Sequence, residues 1–329
     1  MPISMNIEEK IKNYQRAKEL VNPQAFINAD KISIFDLTGK KVVLLDFWTY
    51  SCINCLRSIP YLNLWYQKYK DRGLEIIGVH TPEFQFEKDY ANVKLAVDKF
   101  SIQYPVVLDS EFGTWNAYGN RYWPGKYLID IDGFIPYEHH GEGDYEKVEE
   151  KIQELLNERL ERLGFKEKIT EPLSNPDMEK INFLEIKTPE IYFGANQNFN
   201  LANGEHQMVG PQTLPEPQEI KLNGLYLSGD WNISSEYAEN VNPNAKISLY
   251  YHAKNVYFVG GSKNGAKIKI LLDKKEPDAL AGKDIAKDGQ AIIKEEKLYE
   301  LIKNNNYGEH LIEIIVENPG LEAFTFTFG

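Results

Sequence analysis

Between residues 31 and 162 the apolar positions alternate between two periods. Residues 41–49 (KVVLLDFWT) form a near-continuous apolar run, the pattern of a central strand covered on both faces. Residues 54–72 change to helical spacing, with Leu56, Ile59, Leu62, Trp65, Tyr66 and Tyr69 on one side and Gly73 as the stop. Residues 74–80 (LEIIGVH) predict a second buried strand, 84–100 a helix, and 104–108 a short strand. The runs 126–130 and 134–139 flank Asp132-Gly133, a strong hairpin signal. A charged amphipathic helix over 144–163 follows, with Val148, Ile152, Leu155, Leu156 and Leu160 inward. The order is β-α-β-α-β-β-α. It requires βαβ crossovers and a mostly parallel sheet, to which the hairpin adds antiparallel strands.

The flanks read differently. Ile7, Ile11, Tyr14, Ala17 and Leu20 recur at helical spacing, which predicts an amphipathic helix that docks on a domain. Residues 165–220 carry six prolines and little periodicity, so they read as a strap or linker, part of it packed on a domain surface. From 221 onward short alternating segments recur at 224–227, 245–252, 255–260, 267–272, 290–293, 310–316 and 324–328. Turn residues separate them, as in an all-β sandwich or jelly roll. The expected organisation is an N-terminal extension (1–30), an α/β domain (31–164), a strap (165–220) and a β-sandwich (221–329).

Composition narrows the classes. The chain of 329 residues is 42% hydrophobic, enough to fill two cores. A net charge of −12 disfavours nucleic acid as a partner, since such binders present a basic face. No stretch approaches the roughly 20 apolar residues of a membrane span. The N-terminus lacks the apolar core of a signal peptide, so a cytoplasmic location is expected. Only two cysteines are present, Cys52 and Cys55, which excludes a disulfide-stapled scaffold.

Those cysteines stand where the first strand gives way to its helix. A helix N-terminus stabilises an anion, and the thiolate is the nucleophile of disulfide exchange. Two intervening residues in a helical turn bring Cys55 behind Cys52, where it can resolve a mixed disulfide. A zinc site would need further ligands at similar spacing; no third cysteine exists, and no histidine pair is suitably spaced.

Asp46-Phe47-Trp48 ahead of Cys52-Ile53-Asn54-Cys55 resembles the thioredoxin superfamily. The resemblance implies that Asp46 moves the proton of Cys55. It also implies that Pro124, in YWPGKY, is a cis-proline facing the dithiol. Trp48, Tyr50, Ser51, Ile53, Asn54 and Trp123 are the expected substrate groove. The segment between the second and third core strands resembles the TlpA/peroxiredoxin-like branch, which inserts a helix there. In that branch a glutamate after the strand approaches the site, and Glu83 matches it, with His80 as a neighbour that satisfies a core hydrogen bond.

The strings LLDFWTYSCINCLRSIPYL, GVHTPEF and NRYWPGKYLIDIDG, with TPEIYFG, LSGDW, EYA and AFTFTFG further on, are similar to the DipZ-type family. That likeness implies a C-terminal sandwich resembling a carbohydrate-binding module. Tyr226, Trp231, Tyr237, Tyr250, Tyr251, Tyr257 and Phe258 would then be either core or a face for a glycan or protein ligand. Family members often carry a membrane domain that delivers electrons and work outside the cytoplasm, so a cell-envelope location is the alternative. The expected function is thiol–disulfide exchange on protein substrates, with the Cys52–Cys55 couple as the sole redox group and an unidentified electron donor or acceptor. The alternatives are a peroxiredoxin-like peroxidase and a non-enzymatic redox-sensing module. Ile53-Asn54 matches neither common reductants nor strong oxidants, so direction stays open.

Overall fold

In the computed structural model, which describes residues 5–329, the chain divides into two compact units between Met178 and Glu179. The first begins with helix α1 (Ile7–Asn13) and strands β1 (Gln15–Arg16) and β2 (Ala25–Ile27). Helix α2 (Ile34–Leu37), strand β3 (Val42–Trp48), helix α3 (Ile53–Tyr69) and strand β4 (Leu74–His80) follow. Then come helix α4 (Tyr90–Lys99), strand β5 (Val106–Leu108), helix α5 (Gly113–Tyr118) and strand β6 (Gly125–Ile129). Strands β7 (Phe134–Ile135) and β8 (Tyr137–His140) and helix α6 (Tyr145–Arg162) complete it.

Six strands form the sheet β2-β5-β4-β3-β6-β8, with β3, β4 and β5 parallel and β6 and β8 antiparallel. Every residue of β3 and β4 is buried, as their apolar runs require. Val43, Leu45 and Phe47 cluster with Ile77, Val79, Val107 and Tyr127 on one face. The alternate positions Leu44, Asp46 and Trp48 therefore face the other side. This is the expected thioredoxin fold.

Three local expectations change. The predicted N-terminal helix stops at Asn13, and the chain runs extended from Tyr14 into β1, which pairs with β7. Ala17 and Leu20, beyond the helix, pack into the core, but Ile7 and Ile11 are exposed, so α1 itself is not held by an apolar stripe. Its anchor is Lys10, whose buried ammonium lies 2.7 Å from Asp130, 2.7 Å from Asp132 and 2.5 Å from Glu158. Burial alone would lower this amine's pKa; the three carboxylates outweigh it and hold the group above its usual range. The helix expected over 84–100 breaks at Asp89, whose side chain accepts from Ala91 N and starts α4 afresh. The strand expected over 134–139 divides at Pro136, which has no N–H for a ladder. Periodicity did not reveal α5, whose first turn is held by the Asp109 carboxylate through Thr114 N and Trp115 N, both at 2.9 Å.

The second unit is all-β. Its strands are β9 (Ile191–Tyr192), β10 (Gly210–Leu214), β11 (Leu225–Ile233), β12 (Ala238–Asn240) and β13 (Ala245–Gly261). They continue with β14 (Ala266–Leu272), β15 (Gln290–Ile293), β16 (Lys297–Val316) and β17 (Glu322–Phe328). All pair antiparallel in one sheet, and the β11–β13 pairing closes a ring with β12 and β17 around one apolar core. The later part of the expected linker is built into this unit: β9 adds to β17 and β10 to β11, burying Ile191 and Phe193. Strands this short carry too few alternations to be seen among prolines. Of the seven aromatics considered for ligand stacking, Tyr226, Trp231, Tyr251, Tyr257 and Phe258 are buried. Trp231, Tyr251 and Phe258 belong to the apolar core of this unit. Among the described residues no helix is long and apolar enough to cross a membrane.

Candidate active site

Cys52 is the N-cap residue of α3, half-buried, and its Sγ accepts from Cys55 N at 3.3 Å. Cys55 lies one turn in and is 1% exposed, with its thiol free. Burial, the Cys52 sulfur and the charge of Asp46 all push the Cys55 thiol well above its ordinary pKa. The two sulfurs thus differ in access: one meets a partner from outside, and the other waits beneath it.

The Trp123–Pro124 peptide is cis and brings the Trp123 carbonyl to 4.0 Å from Cys52 Sγ. Trp123 is fixed by its indole N–H, which donates to Thr81 O at 3.0 Å, and by Trp115 at a ring separation of 4.3 Å. Gly125 follows because a Cβ there would stand 2.5 Å from Asn120 Oδ1.

Asp46 is 1% exposed on the face of β3 that Trp48 shares. Burial raises its carboxyl pKa, against the pull of Lys126. Lys126 sits opposite Asp46 in the β3–β6 register, is equally buried, and places Nζ 3.2 Å from Asp46 Oδ1 and 3.3 Å from Ser58 Oγ.

A second carboxylate, Glu87, is fully buried against the loop that precedes Cys52. Ser51 donates to its Oε1 from N at 3.2 Å and from Oγ at 2.6 Å. Glu83 N and Phe84 N donate to Oε2 at 2.6 and 3.0 Å. Glu83 itself is half-buried, and Glu87, four residues on, meets the active-site loop through Ser51. His80 is buried behind the same loop, stacked on Tyr50 at 5.7 Å and 3.4 Å from Thr49 Oγ1. Its imidazole is held neutral, with its pKa pushed down to about 3 by burial.

Of the expected groove residues, Trp48, Tyr50, Ser51 and Ile53 are buried and shape the loop from within; Asn54 and Trp123 are half-buried beside Cys52. Sequence reasoning missed Lys126 and Glu87. The signal for Lys126 was a lone charge inside the buried strand GKYLI. Glu87 showed none, because the 3-10 turn over Gln85–Lys88 breaks the helical period that would have placed it.

Residues 12–138 match the AhpC/TSA family, and residues 188–329 match the family described as thioredoxin-like C-terminal domain. Protein DipZ of Mycobacterium tuberculosis is 37% identical over 298 residues, which cover 91% of this chain and 40% of DipZ. The chain thus spans less than half the length of that relative. The thiol-disulfide oxidoreductase ResA of Bacillus thuringiensis is 34% identical over 148 residues, which cover 45% of this chain and 81% of ResA. The solution structure of a thioredoxin-like protein in its oxidised form shares 28% identity, covering 44% of this chain and 97% of that one, with a TM-score of 0.41. With this dithiol, cis-proline and buried acid on a thioredoxin fold, the chain belongs to the family of thioredoxin-like thiol–disulfide oxidoreductases.

Proposed function

We propose that this chain exchanges disulfides with protein substrates through Cys52 and Cys55. The Cys52 thiolate attacks one sulfur of a substrate disulfide; an S–S bond forms to Cys52, and the other substrate sulfur leaves as a thiolate. Cys55 then gives up its proton and attacks Cys52 Sγ. The Cys52–Cys55 bond forms, the bond to substrate breaks, and the substrate leaves as a dithiol reduced by two electrons. An external dithiol resets the pair, and run backward the same steps oxidise a substrate. Asp46 accepts the Cys55 proton, and the Trp123 carbonyl marks where an extended peptide lies against Cys52.

The observation that carries this reading is the asymmetry of the pair: Cys52 is accessible at a helix N-terminus, and Cys55 is buried one turn behind it. The experiment compares two assays on one preparation. The reading expects catalytic reduction of a protein disulfide by dithiothreitol, with peroxide consumption at background. Rapid peroxide turnover with no disulfide turnover would favour a peroxidase.

A further inference from the structure

Beneath the dithiol two buried polar atoms, Trp48 Nε1 and Tyr104 OH, have no hydrogen-bond partner among the described residues, and near them Asp46 Oδ1 pairs with the Lys126 ammonium at 3.2 Å. They share a neighbourhood. Asp46 and Trp48 lie two residues apart on one face of β3, and Asp46 pairs with Gly78 on β4. Trp48 and Tyr104 both pack closely over Gly78: a Cβ at that position would stand 3.0 Å from Trp48 Nε1 and 3.1 Å from a ring carbon of Tyr104. Tyr104 is 1% exposed, and its ring meets Tyr66 of α3 edge-on at 5.8 Å. Its hydroxyl is held protonated by burial first, and then by the charges of Asp46 and Cys55. The ammonium of Lys126 is the other charged group facing Asp46.

A buried hydroxyl left without a partner is costly. Buried polar atoms that lack protein partners are bridged by ordered water where the site is polar. We propose that Tyr104 is a positioning residue for the proton step at Cys55, its hydroxyl and the Trp48 indole N–H holding the Asp46 carboxylate through bridging water. In that step the proton leaves Cys55 Sγ for Asp46, the Cys55 sulfur bonds to Cys52 Sγ, and the substrate thiolate departs. The proton then passes along the bridging water. In this proposal Tyr104 acts through Asp46.

The inference rests on the exchange reaction proposed above, and its test separates the two. Tyr104→Phe keeps the ring on Tyr66 and removes only the hydroxyl; an unchanged near-UV circular dichroism spectrum verifies the packing. Rates of mixed-disulfide formation at Cys52 and of its resolution by Cys55 are measured from pH 5 to pH 9 in wild type, Tyr104→Phe, Asp46→Asn and the double variant. The expected result is resolution slowed on the order of tenfold in Tyr104→Phe, at or below the lower edge of a direct acid–base contribution. The pH profile of resolution moves, whereas that of formation does not. In the Asp46→Asn background the tyrosine change adds nothing further. Wild-type resolution and pH profile in Tyr104→Phe would overturn the inference, as would effects that multiply in the double variant. Failure of the wild type to form a mixed disulfide would instead overturn the exchange reaction itself.

Discussion

Replacing Cys55 with serine is expected to trap protein substrates on Cys52 as mixed disulfides, with multiple turnover lost, whereas Cys52→Ser abolishes exchange and traps nothing. The difference follows from access. Cys52 is the sulfur a substrate reaches, so without it no covalent intermediate forms. Cys55 is buried and cannot replace it as the attacking group. Without Cys55 the first attack still occurs, and the intermediate survives because no thiol stands behind Cys52 to displace the substrate. Non-reducing electrophoresis of each variant incubated with an oxidised protein substrate, followed by reduction, reads both outcomes. Trapped adducts in Cys52→Ser, or equal trapping in both variants, would contradict the assignment of roles.

The second large effect is expected at Glu87. Glu87→Ala leaves Ser51 N, Ser51 Oγ, Glu83 N and Phe84 N without their acceptor in a buried place. Removing one member of such a network costs about 3–5 kcal/mol. It also frees the residue next to Cys52 to shift, and a misplacement of about 1 Å can cost on the order of a hundredfold in rate. Denaturant unfolding and exchange kinetics measure the two losses. Glu87→Gln separates charge from shape. Burial holds the Glu87 carboxyl above its ordinary pKa, against its donors. A group that binds its proton more tightly when folded adds stability that is full below the unfolded pKa, about 4.3 for glutamate. That stability is lost as pH rises through the folded value. The advantage of wild type over Glu87→Gln should therefore shrink as pH rises from about 4. An advantage that grows with pH would show the carboxylate to be favoured in its charged form.

What could be read from the chain and what could not divide along sequence distance. Strands β3 and β4 announce themselves because a strand buried on both faces needs an unbroken apolar run. The Cys52–Cys55 spacing, Asp46 just before it and Pro124 in YWPGKY are each local strings. Lys126 and Tyr104 gain meaning only when β6 and the turn before β5 come alongside β3, and no local pattern records that register. The N-terminal segment misled for a related reason: its apolar residues repeat at helical spacing across Tyr14, where the backbone turns extended. The anchor is a lysine whose three partners lie at least 120 residues away. In the β unit, the long strands β13 and β16 were seen only in pieces, because bulges between Ala253 and Asn255 and between Val256 and Tyr257 interrupt their alternation.

The direction of electron flow is set by the stability of the Cys52–Cys55 disulfide relative to its dithiol, and the burial of Cys55 beside Asp46 bears on both forms. Equilibrating the full chain in glutathione buffers of stepped potential, quenching with an alkylating agent and mapping the peptides reads the Cys52–Cys55 couple itself. One reversible two-electron couple is expected, with a disulfide that joins Cys52 to Cys55 and a tenfold change in the ratio of forms for about every 30 mV. Glutathione held singly on Cys52 at every potential, with Cys55 always alkylated as a free thiol, would contradict it.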